Sequence, residues 1–212
     1  MKKYIVALVA LISLLSANVA EAQLRVGPMA GVSFTTLKFN QGGIVSVDGA
    51  AGPAAGVFVE KMFPGIGFGI DMGLMYSMKG ATVNFANRKI WADDGVASSR
   101  SMLHYVELPI NVRFKYTNMQ GFEDYLAPFV FAGPEFSFLV GHSKILTSAK
   151  QNVMKYNGAT VGLTVGLGAE IFKNWQLSGS YTWGVTTAVQ TVKLDDFKAN
   201  NRGWNIRAAY LF

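Results

Sequence analysis

The stretch IGFGIDMGLMYSMKG, residues 66–80, decides the fold. Every second residue is apolar or aromatic: Ile66, Phe68, Ile70, Met72, Leu74, Tyr76 and Met78. The residues between them are Gly67, Gly69, Asp71, Gly73, Met75, Ser77 and Lys79. Because successive side chains of a β-strand point to opposite faces, this alternation predicts a strand with one apolar face and one small or charged face.

The same period of two recurs along the chain. It is clear in residues 103–116, 158–171, 175–185 and 203–212, and weaker in 24–34, 54–62 and 127–138. In the second weak strand we place Gly56, Phe58 and Glu60 on the polar side. The third has apolar residues on both faces, and its Gly133-Pro134 pair is a candidate for a bulge that switches the faces. The count is eight strands.

The connections between these strands alternate in length. The predicted long loops are 35–52, 79–101, 139–157 and 187–201, and the predicted short connections are 63–65, 117–124 and 172–174. Short turns at one end, long loops at the other and an even number of antiparallel strands are typical of a bacterial outer-membrane barrel. In such a barrel both termini lie on the periplasmic side and the long loops face outside.

The sequence therefore predicts an all-β fold, an eight-stranded antiparallel up-and-down transmembrane β-barrel. A sheet must close on itself in lipid, because each unpaired backbone group would cost several kcal/mol there. The alternative is a soluble barrel or sandwich, of which lipocalins are an example. A polar face of mainly Gly, Ser and Thr would be a poor water-exposed surface. Aromatic residues also lie near strand ends on the apolar face, as in an interfacial girdle: Tyr76, Tyr116, Trp175, Trp183, Trp204 and Tyr210.

The N-terminal segment 1–22 has the features of a secretory signal peptide. MKK is a positive start, IVALVALISLL is an apolar stretch, and Ala20-Glu21-Ala22 is a small-x-small cleavage site. The alternative is a membrane anchor, for which the apolar stretch is too short. We expect a mature barrel domain of residues 23–212, whose formal net charge falls from +6 to +5 on loss of Lys2, Lys3 and Glu21.

Composition excludes several classes of protein. The chain has no cysteine, so it can form no disulfide and carry no lipoprotein anchor. No mature stretch is a clean run of about 20 apolar residues, so no transmembrane helix is expected. The Lys and Arg residues are scattered and the chain carries an export signal, so nucleic acid is not an expected partner.

The polar face of the predicted strands carries charge of both signs. We expect these side chains inside the barrel: Arg25, Glu60, Asp71, Glu107, Arg113, Lys115, Glu135, Glu170 and Arg207. Buried charges are stable only when they are paired. The balance of signs predicts an interior ion-pair network that fills the barrel and fixes its register; the alternative is a narrow, gated ion path.

The sequence contains few motifs that would indicate catalysis or cofactor binding. The chain contains two histidines, His104 on the lipid face and His142 in a long loop, and has neither HExxH nor GxSxG. We expect no enzyme, no cofactor and no metal. An outer-membrane hydrolase or acyltransferase would require a polar cluster at the outer rim, for which the candidates are Asp93, Asp94, Ser98, Ser99 and His104.

The long loops and the C-terminus provide candidate contacts with partners. Trp91 in the second loop is a candidate contact for a partner protein or for lipopolysaccharide, or it packs on the loop itself. Loop lysines and arginines are candidate partners for lipid phosphates: Lys144, Lys150, Lys155, Lys193, Lys198 and Arg202. The terminal Tyr210 and Phe212 resemble the signal that the barrel assembly machinery reads in outer-membrane proteins.

Three stretches are similar to the PorT-like outer-membrane β-barrel family of Bacteroidetes: YVELPINVRFKY (105–116), APFVFAGPEFSFLV (127–140) and GLTVGLGAEI (162–171). The family pattern is Tyr-x-Glu-x-Pro followed by Pro-aromatic-x-x-x-Gly-Pro. The resemblance implies an eight-stranded barrel of the OmpA/OmpX type in the outer membrane. Some family members belong to the type IX secretion and gliding machinery, so an accessory role in secretion is an alternative to a structural or surface-interaction role.

Overall fold

The structure is a computed structural model that describes residues 23–39, 46–65, 67–84, 98–117, 119, 121–142, 154–191 and 198–212. The predicted signal peptide 1–22 lies outside these ranges. The strands are β1 (Gln23–Phe39), β2 (Ser46–Met62), β3 (Phe68–Asn84), β4 (Ser98–Lys115), β5 (Leu126–His142), β6 (Met154–Tyr156), β7 (Ala159–Ile171), β8 (Trp175–Gly184), β9 (Val189–Thr191) and β10 (Lys198–Tyr210). A short 3₁₀ helix, Phe122–Asp124, precedes β5.

Eight of these strands form a closed antiparallel barrel, which confirms the predicted fold class. The wall runs in the order β1-β2-β3-β4-β5-β7-β8-β10, and β10 pairs with β1 to close it. Closure leaves no unpaired edge in the wall. Of the two additional strands, β9 pairs with β10, and β6 pairs with β9.

The predicted faces of the strands are the observed ones. Outward-facing residues of β3, β4 and β7 such as Leu74, Val112 and Leu167 are 59%, 61% and 67% exposed. Their inward neighbours, including Asp71, Arg113 and Thr164, are buried. Apolar side chains also fill part of the lumen, in a cluster of Met29, Ala54, Phe58, Met75, Ala209 and Leu211. Each strand therefore separates an apolar outer surface from a mixed, tightly filled interior.

Two details of the predicted strands are wrong. The four long loops are shorter than expected, because β1 continues to Phe39, β2 begins at Ser46, and β3, β4, β5 and β10 also extend at their loop ends. Backbone pairing can continue above the lipid, where an apolar face is no longer required, so the alternation gives no sign of it. The face switch at Gly133-Pro134 is also absent: β5 keeps one register with β7 from Leu126 to Phe138. Its irregularity lies near Leu139, opposite His104 and Tyr105.

Within the described ranges, no helix has the length and apolar composition needed to cross a membrane.

Candidate functional site in the barrel interior

Among the residues whose side chains the structure describes, ten charged ones form ion pairs inside the barrel. All nine residues in the interior set expected from the sequence lie there, and Lys79 on β3 joins them. Lys79 has the same strand parity as Asp71, so the alternation in residues 66–80 contains the signal that would have placed it inside. With Lys79 included, these described residues comprise five cations and five carboxylates, so their formal charges cancel.

Six of these residues form a lower cluster near the short turns: Arg25, Glu60, Asp71, Arg113, Lys115 and Glu170. Glu60 is the hub. Its carboxylate, which is fully buried, contacts Arg25, accepts from Arg113 Nη1 at 2.5 Å and accepts from Lys115 Nζ at 2.7 Å. Gln176 donates to both Glu60 and Glu170, at 2.8 and 2.7 Å. The members of the cluster and Gln176 come from six strands, so the cluster ties β1, β2, β3, β4, β7 and β8 together across the lumen.

Arg113 is also enclosed by aromatic rings. Its guanidinium carbon lies 4.1 Å from the ring centroid of Phe129, 5.1 Å from that of Phe58 and 5.8 Å from that of Phe131. Its Nε donates to Asp71 at 2.8 Å. A planar cation suits this site because it can stack on rings and reach two carboxylates at once.

Glycines on β7 make room for two of these rings. A Cβ added at Gly166 would collide with the Phe131 ring and with Ser180, and one added at Gly168 would collide with the Phe129 ring. The inward face of β7 therefore lacks side chains at the two positions where the neighbouring strand β5 places a phenylalanine ring in the lumen. This is the physical reason for the small residues of GLTVGLG on that face.

The other four charged residues form an upper cluster: Lys79, Glu107, Glu135 and Arg207. Lys79 Nζ lies 2.7 Å from Glu107 and 2.8 Å from Glu135, and Arg207 Nη2 lies 3.2 and 3.7 Å from the same two residues. The charges alternate around a closed ring, so each carboxylate has two cations beside it. Thr164 donates to Glu135 at 3.4 Å, which extends the ring to β7.

Cavities among the interior side chains are small. One of about 20 Å³ lies between the two clusters, and two others of about 10 Å³ each lie beside the upper cluster. A single water needs about 10–15 Å³. A wider mouth of about 420 Å³ opens at the short-turn end, with Arg25, Lys115 and Glu170 in its lining. The lower cluster therefore closes this mouth from the inside.

The predicted interface aromatics all lie on the outer surface. Tyr76, Tyr116, Trp175, Trp183 and Trp204 are 40–62% exposed, and Tyr210 is half-buried. Near the short-turn end, Trp175 packs on Tyr210 with ring centroids 5.0 Å apart. Higher on the wall, Tyr181 contacts both Trp183 and Trp204, at 4.7 and 5.0 Å. The outer aromatics thus form contacting groups at two levels.

The C-terminal residues lie beside the closing seam. Phe212 N donates to Val26 O at 3.0 Å, and its ring packs 5.1 Å from that of Tyr210. Asn174 in the β7–β8 turn donates from its side chain to Leu211 O at 2.7 Å. The side chain of Phe212 remains 73% exposed.

The remaining candidates do not assemble into a catalytic or metal site in the part of the chain that the structure describes. His104 faces outward, and its Nδ1 lies 2.5 Å from the Tyr76 hydroxyl. His142 stacks on Tyr156 with ring centroids 4.2 Å apart. Trp91, Asp93 and Asp94 lie outside the described residues. No group of three or more His, Asp and Glu among the described residues is arranged to hold a metal ion.

Comparison with known proteins gives a family match. A family model, "Outer membrane protein beta-barrel domain", matches residues 16–190. A comparison with curated protein sequences finds no match.

Solved structures with a similar barrel are only distantly alike in sequence. The attachment invasion locus protein Ail of Yersinia pestis, in complex with the heparin analogue sucrose octasulfate, is 15% identical with a TM-score of 0.46, over 90% of this chain and 99% of that one. Neisserial surface protein A is 10% identical with a TM-score of 0.47, over 90% and 99%. Outer membrane protein W of E. coli is 11% identical with a TM-score of 0.42, over 88% and 97%.

Proposed function

Because the chain belongs to the outer membrane protein beta-barrel domain family, we propose that it is a non-enzymatic integral outer-membrane barrel whose own ion pairs plug its lumen. The observation that carries this proposal is the pairing of the interior charges. Each of the five carboxylates lies within ion-pair distance of at least one cation, and the cavities beside the upper cluster are of water size. An ion crossing the lumen would have to break these pairs and leave charges buried without partners, which is strongly unfavourable.

Planar-bilayer recording of the purified mature barrel tests the plug. We expect no discrete conductance steps. A variant with the upper ring removed, Lys79→Ala with Glu107→Ala, Glu135→Ala and Arg207→Ala, should also give no steps, because the lower cluster still closes the short-turn end of the lumen. Discrete steps from the native barrel would instead support the gated-channel alternative.

A barrel with a filled lumen can still serve as a structural protein, or it can bind partners at the cell surface through its outer rim. The rim near the third and fourth long loops has an ordered base: Asn157 donates from its backbone to Ala188 O at 3.0 Å and from its side chain to Thr187 O at 2.6 Å. A rigid scaffold that presents loops is the usual arrangement for binding residues. We propose that these loops contact lipopolysaccharide or surface partner proteins.

The loop lysines provide a test of the lipopolysaccharide contact. Lys144 and Lys150 belong to the third long loop, and Lys155, predicted in that loop, lies in the short strand β6 at its end. The refolded barrel should bind lipopolysaccharide more tightly than a variant in which all three are Gln, and added salt should narrow the difference. Equal affinities would show that these lysines do not contribute to lipopolysaccharide binding.

An accessory role in type IX secretion is the alternative implied by the PorT-like stretches at 105–116 and 127–140. Deletion of the gene followed by measurement of exported cargo distinguishes the two roles. Loss of cargo export would support the secretion role, whereas normal export would leave the structural or surface role.

The N-terminal and C-terminal residues have proposed roles in export and in assembly. We propose that residues 1–22 are removed on export and that Tyr210 and Phe212 are read by the barrel assembly machinery. N-terminal sequencing of the protein from outer membranes should begin at Gln23. A first residue within 1–22 would mean that the segment remains as an anchor.

A further inference from the structure

The outer wall of the barrel contains a long apolar trough of about 900 Å³. We define the trough by its two sides, Phe68 with Phe114 and Tyr181 with Trp204, and by its floor residues Ala132 and Gly179. The charged clusters lie on the other side of the wall, and none of the six defining side chains is charged.

Strand register explains why the wall is hollow there. Two adjacent outward rows cross the region: in one, Phe114 lies opposite Val130 and Leu167 lies opposite Gly179; in the other, Ala132 lies opposite Val165. The middle strands β5 and β7 thus carry aliphatic or small side chains. Rings stand on β3, β4, β8 and β10, and the wall is lowest at Ala132 on β5 and at Gly179 on β8, beside the exposed aliphatic side chains of Val130 and Leu167.

The two sides of the trough are held rigid by ring contacts. Phe68 and Phe114 pack with centroids 4.9 Å apart, and Tyr181 packs edge-on against Trp204 at 5.0 Å. At Gly179 an added Cβ would meet no atom within 4 Å, so this part of the floor is open space. The trough is therefore a preformed concavity in the folded barrel.

The position of the trough along the barrel axis indicates which membrane leaflet it faces. Phe68 is the first residue of β3, and Phe114 is one residue before the end of β4, so this side begins at the short-turn end of the barrel. In the family's membrane orientation the short turns face the periplasm. The Phe68–Phe114 side of the trough therefore lies at the level of the periplasmic leaflet.

We propose that the trough binds one acyl chain of a phospholipid from the periplasmic leaflet and holds it longer than the surrounding lipid is held. The trough lies on the lipid-facing surface of a membrane-spanning barrel, where acyl chains are the available ligands. In hydrocarbon, binding comes from close packing rather than from the hydrophobic effect. A concave site with rigid aromatic sides gives a flexible chain more contacts than the convex wall elsewhere.

The geometry favours an acyl chain over a second copy of the protein. A two-fold dimer brings the same patch of both copies together. Two hollow surfaces that meet in this way would touch at their aromatic sides and leave a void between their floors. A narrow flexible chain follows the floor without a void.

Native mass spectrometry of the barrel purified from outer membranes in mild detergent tests the proposal. We expect one phospholipid to remain on the native protein. Gly179→Phe should lose it, because the ring fills space that is open in the native fold. The control Ala55→Phe adds the same ring to an outward position on β2, outside the trough, and should retain the lipid.

Each other outcome overturns the proposal. Absence of a retained phospholipid on the native barrel, or its equal retention by Gly179→Phe, would show that the trough holds no lipid of this kind. Retention of lipopolysaccharide alone would place the ligand in the other leaflet. Cysteine at Val130 is a further check: a disulfide-linked dimer in native membranes would assign the trough to a second copy. Heat-modified gel mobility confirms that each variant is folded.

Discussion

Arg113 on β4 donates from Nη1 to Oε2 of Glu60 on β2 at 2.5 Å, although β3 lies between the two strands. The bond reaches over the inner face of β3 and joins two strands that share no backbone hydrogen bonds. Two non-neighbouring strands are therefore locked in register by side chains, in addition to the backbone ladders on either side of β3. The interior network therefore constrains the relative positions of strands that are not neighbours in the sheet.

Removal of the hub of the lower cluster should be strongly destabilising. Glu60→Gln keeps the shape of the side chain but leaves three buried cations around a neutral group. We expect the free energy of unfolding to fall by about 3–5 kcal/mol. Urea unfolding of the detergent-refolded barrel, followed by tryptophan fluorescence, measures it.

An exposed acidic residue gives the matched control. Asp124 pairs with Lys173 at 2.8 Å, and both side chains are more than half exposed. Because solvent screens such a pair, Asp124→Asn should change stability by only about 0–1 kcal/mol. Equal unfolding midpoints for the two variants would contradict the role given to Glu60.

The aromatic enclosure of Arg113 predicts that charge alone is insufficient at this position. Arg113→Ala should lower the temperature at which the folded band converts in a heat-modified gel. Arg113→Lys keeps the charge but loses the planar contact with Phe129, and it should be less stable than the native barrel by about 0.5–2 kcal/mol. If the Lys variant matched the native protein, the ring contacts would contribute nothing measurable.

The upper ring predicts coupling between its members. Lys79→Ala and Glu107→Ala each leave a buried charge with fewer partners, whereas the double variant removes both charges. We expect the double variant to be less destabilised than the sum of the single variants, with a coupling energy of about 1–3 kcal/mol. Urea unfolding of the four proteins gives the value directly, and additive effects would mean that the ring is not a unit.

Two glycines on neighbouring strands should respond in opposite ways to the same change. Gly166→Ala places a methyl group against the Phe131 ring and Ser180, so we expect destabilisation. Gly179→Ala meets open space and restricts the unfolded chain, so we expect a gain of about 0.4–1 kcal/mol. Unfolding midpoints of the two variants test the contrast; destabilisation by Gly179→Ala would show that the outer wall is closed at that point.

The proposed assembly signal can be separated from stability. The Phe212 side chain is mostly exposed, while its backbone makes the contact with Val26. Phe212→Ala should therefore refold in detergent as the native chain does, yet reach the outer membrane at a reduced level. Quantitative immunoblotting of outer-membrane fractions gives the second measurement, and native levels there would remove Phe212 from the signal.

The alternation in residues 66–80 and its recurrences suffice to predict the strands, their two faces and the membrane barrel. This works because a strand that separates lipid from a packed lumen must alternate with a period of two at every crossing. The exact strand ends do not follow from the sequence, because pairing above the lipid places no such demand on side chains. The unbroken register of β5 cannot be predicted from the sequence either, since Gly133-Pro134 is compatible with a bulge and with a straight strand.

The sequence by itself determined which residues face inward, and so the composition of the interior. Only the tertiary structure decided their partners: that Glu60 is shared by three cations, that Lys79 completes the upper ring, and that Gly166 gives space to a ring while Gly179 opens the trough. Strand parity is a local property of the chain. Contacts across a closed barrel depend on the stagger between strands far apart in sequence, which no single strand encodes.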